Sequence, residues 1–196
     1  MPGAGKFLLE FLRHPVATAA VAPSSRQLAD AMVAGIDFSR VRTVVEYGPG
    51  TGAFTRRVLE AFDAAPAPGR TLLAIERNER MASSLGAELR DARVVHGDAM
   101  EVEALVRGAG LESVDLVVSG LGWPSLPAPV REGILEGTAK VLGPGGEFRT
   151  FGYHIGLTLP GAWAFRGSVR RLFSSVSITP VVWANIPPAF VYRCVK

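Results

Sequence analysis

The chain has 196 residues, 48% of them hydrophobic and 20% charged, with a net charge of +3. These proportions exclude a disordered chain and allow about one domain, or a little more, with a sizeable core. One cysteine, Cys194, excludes an intramolecular disulfide framework and a cysteine-based zinc cage, and with only three histidines no metal site is expected.

The first forty residues precede any strand pattern. Phe7, Leu8, Phe11 and Leu12 fall on one helical face, with Lys6, Glu10 and Arg13 on the other. That is the pattern of a helix lying in a membrane interface, and equally of one packing on the protein's own core. Glu10 and Arg13 leave the apolar run too short for a signal peptide. The uncharged stretch 172–192 is broken by Pro180, Pro187 and Pro188, so no membrane-spanning segment is expected. The expected location is cytoplasmic and peripheral at the inner face of the membrane. Ser24-Ser25-Arg26-Gln27 fits a capping box that opens a helix running to about Val33, with Gly35 ending it.

From Val41 onward strand and helix patterns alternate, which predicts βαβ units on a parallel sheet. Strands are expected at 44–47, 71–76, 93–96, 114–119 and 147–153, and helices at 54–62, 78–89, 102–106, 129–142 and 161–173. Gly143-Pro144-Gly145-Gly146 reads as a helix stop. Two last strands, 176–183 and 190–195, are separated by a turn too short for a crossover helix, so they form an antiparallel hairpin. The reading is an N-terminal helical appendage over 1–40 and an α/β domain over 41–196.

Charge is unevenly placed. All 18 acids lie at or before Glu147, whereas Arg149, Arg166, Arg170, Arg171, Arg193 and Lys196 follow it. A basic C-terminal quarter attracts anions such as phosphate headgroups or nucleic acid, or is a solvated face.

The most informative stretch is Glu46-Tyr47-Gly48-Pro49-Gly50-Thr51-Gly52-Ala53, which closes a strand and opens a helix. Its glycines permit a tight turn and close approach of backbone to a ligand. Gly48, Gly50 and Ala53 also satisfy the dinucleotide pattern, so glycine spacing alone does not choose the cofactor. Glu46 does help to choose. A carboxylate there repels a pyrophosphate and suits a ligand with cationic groups, such as the ammonium and sulfonium of S-adenosylmethionine. No Lys-Ser/Thr follows the glycines, which excludes a Walker loop. Glu76 at the end of the second strand is placed to accept from ribose hydroxyls, and Asp98 after the third to reach an adenine amino group.

These residues, together with Gly97-Asp98-Ala99 and Ser119-Gly120-Leu121, resemble the motifs of class I S-adenosylmethionine-dependent methyltransferases. The resemblance implies a Rossmann-like seven-stranded sheet with an antiparallel last strand. It implies S-adenosylmethionine as cofactor, held by Glu46, Tyr47, Gly48, Pro49, Gly50, Thr51, Gly52, Glu76, Arg77, Asp98, Ala99, Ser119 and Gly120. A narrower resemblance adds Phe7-Leu8-x-x-Phe11-Leu12, Pro23-Ser24-Ser25, Phe151-x-Tyr153 and Asn185-Ile186-Pro187-Pro188-Ala189, and is to bacterial phospholipid N-methyltransferases. It implies methylation of phosphatidylethanolamine at an anionic membrane surface, with no nucleic acid and no stable protein partner. Where that family continues Gly-Leu-Pro after the fourth strand, this chain reads Gly120-Leu121-Gly122-Trp123-Pro124.

Methyl transfer to an amine needs the nitrogen lone pair in line with the methyl group, and the amine must first lose a proton. Tyr47, Tyr153 and His154 are the candidates for taking it. Trp123, Tyr153 and Trp163 are candidate aromatic faces for a methylated cation, and Arg149, Arg166, Arg170 and Arg171 candidate donors to a headgroup phosphate. A small-molecule methyltransferase on the same fold, an enzyme like the rRNA adenine methyltransferases, and a non-catalytic membrane-associated binding protein are the competing readings. The second lacks support because no Asn-x-Pro-Tyr/Phe motif follows the fourth strand.

Overall fold

The computed structural model describes residues 24–196. The amphipathic pattern at 6–13 and Pro23 lie outside the described residues. The elements in chain order are α1 (Arg26–Val33), β1 (Thr43–Tyr47), α2 (Ala53–Ala64), β2 (Thr71–Glu76), α3 (Glu79–Glu88), β3 (Arg93–His96), α4 (Val102–Gly108), β4 (Val114–Ser119), α5 (Ala128–Val141), β5 (Leu142–Tyr153), α6 (Pro160–Leu172), β6 (Ser175–Ile178) and β7 (Ala189–Val195). The seven strands form one sheet in the order β3-β2-β1-β4-β5-β7-β6. β7 runs antiparallel to both of its neighbours, and the other pairings are parallel. This is the α/β sheet with an antiparallel last strand that the sequence predicts.

Strand alternation sorts the core into two layers. Val44 of β1 faces α1 and α2, packing with Leu28, Met32, Phe54 and Val58. Val45 and Tyr47 face the other way, toward Ile134 and Leu135 of α5 and Phe165 of α6. Strand order proceeds from β1 to β2 and β3 on one side and to β4 and β5 on the other. The crevice beyond the carboxyl ends of β1 and β4 is therefore the place where an open α/β sheet takes a ligand.

Three local expectations are corrected. The capping box does not form: Ser25 is the N-cap and accepts from Leu28 N at 3.1 Å, while its own amide donates to Asn185 Oδ1 at 3.0 Å. A distant side chain thus does the work the box would have done with Gln27. β5 starts at Leu142 rather than 147. The glycine run ends α5, but its backbone then continues along β4 as an irregular strand, pairing Val114 with Leu142 before the register jumps to Leu116 with Glu147. β6 stops at Ile178, five residues early, just before Pro180, which has no N–H for the ladder.

Arg149 is corrected as a phosphate donor. It is 2% exposed on β5. Its Nε and Nη2 donate to Glu147 Oε2 at 2.9 and 2.7 Å, and its Nη1 donates to the carbonyls of Met32 and Ala34 at 3.2 and 2.7 Å. Those carbonyls are the open end of α1, so a positive charge there is favourable both as a hydrogen-bond donor and against the helix dipole. α1 is thereby fixed on the face of the sheet, and the described part of the N-terminal appendage shares the domain's core.

Arg149→Ala leaves Glu147 without this partner and the end of α1 uncapped. Denaturant unfolding should show a loss of about 3 kcal/mol. An unchanged midpoint would mean that the guanidinium contributes nothing to docking α1.

Candidate active site

β1 delivers the glycine loop. Gly48 N donates to Ile75 O at 2.9 Å and Gly52 N to Pro49 O at 2.8 Å, which folds the loop back before α2. Gly48, Gly50 and Gly52 all have positive φ, at 62°, 54° and 80°, a conformation that L side chains rarely adopt. β4 meets the loop from the side: Gly120 N donates to Tyr47 O at 2.8 Å. A Cβ at Gly120 would lie 2.5 Å from Gly48 O, so no larger residue fits there without opening the crevice.

Glu46 is fully buried on the α1/α2 face of β1. Among the described residues neither carboxylate oxygen reaches a partner at hydrogen-bond geometry, and Thr55 Oγ1 is likewise without one. Burial raises the Glu46 pKa to about 7; the nearby Thr55 hydroxyl and amide, in the first turn of α2, pull it down, and Glu76 pushes it further up. A buried carboxylate with open lone pairs under a glycine loop suits a cationic group. That arrangement fits the ammonium and sulfonium of the expected cofactor.

Glu76, 9% exposed, ends β2 with Oε2 accepting from Gly50 N at 3.3 Å and Oε1 from Asn78 N at 2.9 Å. Each oxygen keeps a second lone pair for a ribose hydroxyl. Asp98 accepts from Met100 N at 2.9 Å through Oδ1, and buried Ala99 follows it. Ser119 is buried at the end of β4, and its Oγ accepts from Leu121 N at 3.2 Å. Pro49 is buried in the loop, and Thr51 and Arg77 are exposed beside it. The predicted cofactor residues are thus gathered at the carboxyl ends of β1, β2, β3 and β4.

Tyr47 is different. Its side chain alternates to the face opposite Glu46, where it is fully buried with its hydroxyl 3.0 Å from Thr138 Oγ1 of α5. Burial pushes its pKa up, so the phenol stays neutral. Its backbone carbonyl serves the crevice, but the hydroxyl sits inside the core and has no proton-transfer role there.

Beyond β4 and β5 lies a cavity of about 310 Å³. Its walls include Gly120, Leu121, Trp123, Tyr153, Phe165 and Phe190, and no acid or histidine is among its lining residues. Leu121 joins it to the glycine crevice, since its Cδ2 lies 3.0 Å from where a Gly48 Cβ would be. Tyr153 lies half-buried in the wall, its pKa raised by burial and its ring edge-on to Phe151 at 5.3 Å. His154 is exposed outside the cavity, its ring 5.7 Å from that of Trp183. Trp123 is almost wholly buried against Phe148 and Phe165, and its Nε1 donates to Thr150 Oγ1 at 2.9 Å. The insertion of Gly122 before Trp123-Pro124 thus builds a short 3-10 turn whose tryptophan forms a wall.

Sequence reading missed Leu121, Phe165, Phe190 and Tyr192 as site residues. The signal for the last two was their i, i+2 spacing, which puts both on one face of β7. Gly152 on the adjacent strand makes room, since a Cβ there would lie 2.9 Å from Phe190 Cζ.

The Glu46 carboxyl makes ligand binding and stability respond to pH in opposite directions. Between about pH 4.5 and about 7 the folded chain keeps a proton that the unfolded chain has released, so stability of the free protein falls as pH rises through that window. The loss is on the order of 3 kcal/mol. Affinity for a cationic ligand should rise over the same window, because only the ionised carboxylate attracts it. Glu46→Gln should abolish both trends and weaken S-adenosylmethionine binding at least about tenfold in calorimetry. Equal affinity of variant and parent above neutrality would remove Glu46 from the cofactor site.

Comparison with known proteins agrees with this geometry. A family model described as the TrkA-N domain matches residues 49–124, a stretch that begins just after β1 and Glu46. The chain is 31% identical over 191 residues to the ornithine lipid N-methyltransferase of Singulisphaera acidiphila, covering 96% of this chain and 93% of that protein. Among solved structures, an O-methyltransferase from Bacillus cereus in complex with SAH superposes with a TM-score of 0.69 at 14% identity, covering 100% of this chain and 93% of that one. An O-methyltransferase family protein from Burkholderia thailandensis superposes at 0.63 with 14% identity, covering 87% of this chain and 55% of that longer one. The chain belongs to the family of the lipid N-methyltransferases, and it has the fold of the superposed O-methyltransferases.

Proposed function

We propose that this enzyme methylates the amine of a membrane aminolipid headgroup. The observation that carries the reading is the apolar, aromatic cavity that shares Gly120 and Leu121 with the glycine crevice. Bound S-adenosylmethionine supplies an electrophilic methyl group on a sulfonium. Glu46 would balance its positive charge, Glu76 would accept from its ribose, and Asp98 with Ala99 would bound the adenine end.

The cavity walls then decide what is methylated. An apolar lining disfavours an ammonium and favours the neutral amine, so the proton leaves to water before the nitrogen enters. The phenol of Tyr153 stays protonated and orients the nitrogen through hydrogen bonding rather than taking its proton. The aromatic side of the cavity, with Trp123, Phe165 and Phe190 in its wall, accommodates the cationic, more alkylated product. Exclusion of water by Leu121 and Trp123 keeps the methyl donor from hydrolysis.

The ornithine lipid activity named for the Singulisphaera relative favours an ornithine-type acceptor over phosphatidylethanolamine. No helix among the described residues is long and apolar enough to cross a membrane. The proposed approach to the lipid is therefore peripheral, at an anionic surface, through the amphipathic segment at 6–13 and the basic residues after Glu147. Neither a nucleic acid nor a protein partner enters this reading.

Purified enzyme with labelled S-adenosylmethionine should transfer methyl groups to vesicles containing ornithine lipid, and more slowly or not at all to phosphatidylethanolamine. Incorporation only into soluble amines or RNA would overturn the lipid assignment. Tyr153→Phe should lower kcat about tenfold with cofactor affinity unchanged, since orientation and not binding is lost. An unaltered kcat would leave Tyr153 as a wall residue only.

A further inference from the structure

A second hollow, of about 290 Å³, lies beside the cavity and shares Leu157, Ala162 and Tyr192 with it. Its other walls come from one face of α6: Trp163, Arg166, Gly167 and Arg170. The i, i+4 spacing of Arg166 and Arg170 stacks two guanidinium groups on that face. Among the described residues neither pairs with a carboxylate, whereas Arg171, one residue on, turns away to Glu132 at 2.6 Å. Tyr192 stands at the border of the two hollows, 4% exposed, and its hydroxyl makes no hydrogen bond among the described residues. Burial holds the pKa of that phenol up, against the pull of the positive charges of Arg166 and Arg170, which reach it through space. Gly167 leaves the floor between the arginines open, since a Cβ there would meet nothing within 4 Å.

We infer that the groove formed by Arg166, Arg170 and Tyr192 is a subsite for the anionic group of a zwitterionic headgroup, and so selects acceptors that carry an anion a few bonds from the amine. This rests on the aminolipid reading above and extends it. Two uncompensated cations at the rim of an otherwise apolar cavity match a carboxylate or a phosphate, with the guanidinium groups donating to its oxygens and the Tyr192 hydroxyl adding a third donor. Anchoring the anion in the groove places the amine in the adjoining cavity, on the side that Leu121 joins to the glycine crevice. The separation of anion from amine then measures the headgroup. Carboxylate from an amino-acid lipid and phosphate from a glycerophospholipid offer the same chemistry here.

The test uses soluble headgroups titrated by calorimetry into the full chain saturated with S-adenosylhomocysteine. Nα-acetylornithine presents the carboxylate, glycerophosphoethanolamine the phosphate, and N-acetylputrescine the amine with neither. At least one zwitterion should bind at least about tenfold more tightly than N-acetylputrescine, and the tighter of the two identifies the anion. Arg166→Gln with Arg170→Gln should erase that preference, with S-adenosylhomocysteine affinity unchanged. Gly167→Glu, which sets a carboxylate into open space between the two arginines, should erase it too, independently of any loss of packing. Equal binding of all three ligands, no binding of either zwitterion, or a preference that survives both variants would overturn the subsite. If the anion preference is present but no lipid is methylated, the subsite stands and the lipid acceptor falls.

Discussion

The site depends on an ionisable carboxyl held out of water. Glu46 sits at the end of a central strand with no exposure and, among the described residues, no hydrogen-bond partner, and the glycine loop that follows it turns through three positive-φ glycines. Burying such a carboxylate is unfavourable, and the raised pKa is the measure of that cost. The rest of the fold keeps it in place: β2 and β4 flank the strand in parallel register, and the first turn of α2 turns the Thr55 amide and hydroxyl toward it. A cationic ligand would relieve the cost, so affinity for such a ligand would depend on the architecture of the sheet rather than on a surface feature.

The same economy of shape governs the acceptor side. Gly120, Gly152 and Gly161 are each positions where a Cβ would strike a neighbour, at Gly48 O, Phe190 Cζ and Pro124 O respectively. Removing three side chains lets β4 approach the loop, β7 aromatics lie over β5, and α6 close on the turn after β4. The cavity is what remains between these close approaches. Its lining is apolar because its walls are the inner faces of strands and of a helix, and its rim is basic because the outer face of α6 carries the arginines.

Much of this was legible in the sequence. The order of strands and helices, the antiparallel end of the sheet and the acids at successive strand ends follow from hydrophobic period and turn residues, which act locally. The boundaries that failed did so where distant residues intervened. Asn185 replaced Gln27 as the partner of the N-cap, β4 drew the glycine run after α5 into the sheet, and Pro180 cut β6 short. Tyr47 failed for another reason. It belongs to the motif, but period-2 alternation sends neighbouring side chains to opposite faces, so Glu46 and Tyr47 had to enter different layers of the core.

The sequence by itself determined the class of fold and the placing of the acids at successive strand ends, because each is encoded in contiguous residues whose spacing fixes their face and strand. Only the tertiary structure decided what the basic and aromatic residues of the C-terminal quarter do. Arg149 caps a helix from the opposite end of the chain, Trp123 is a wall, His154 stands outside the cavity, and Arg166 with Arg170 meets Tyr192 at its rim. Those roles depend on which elements meet across the sheet, and a pairing between residues far apart in sequence leaves no periodic trace along the chain.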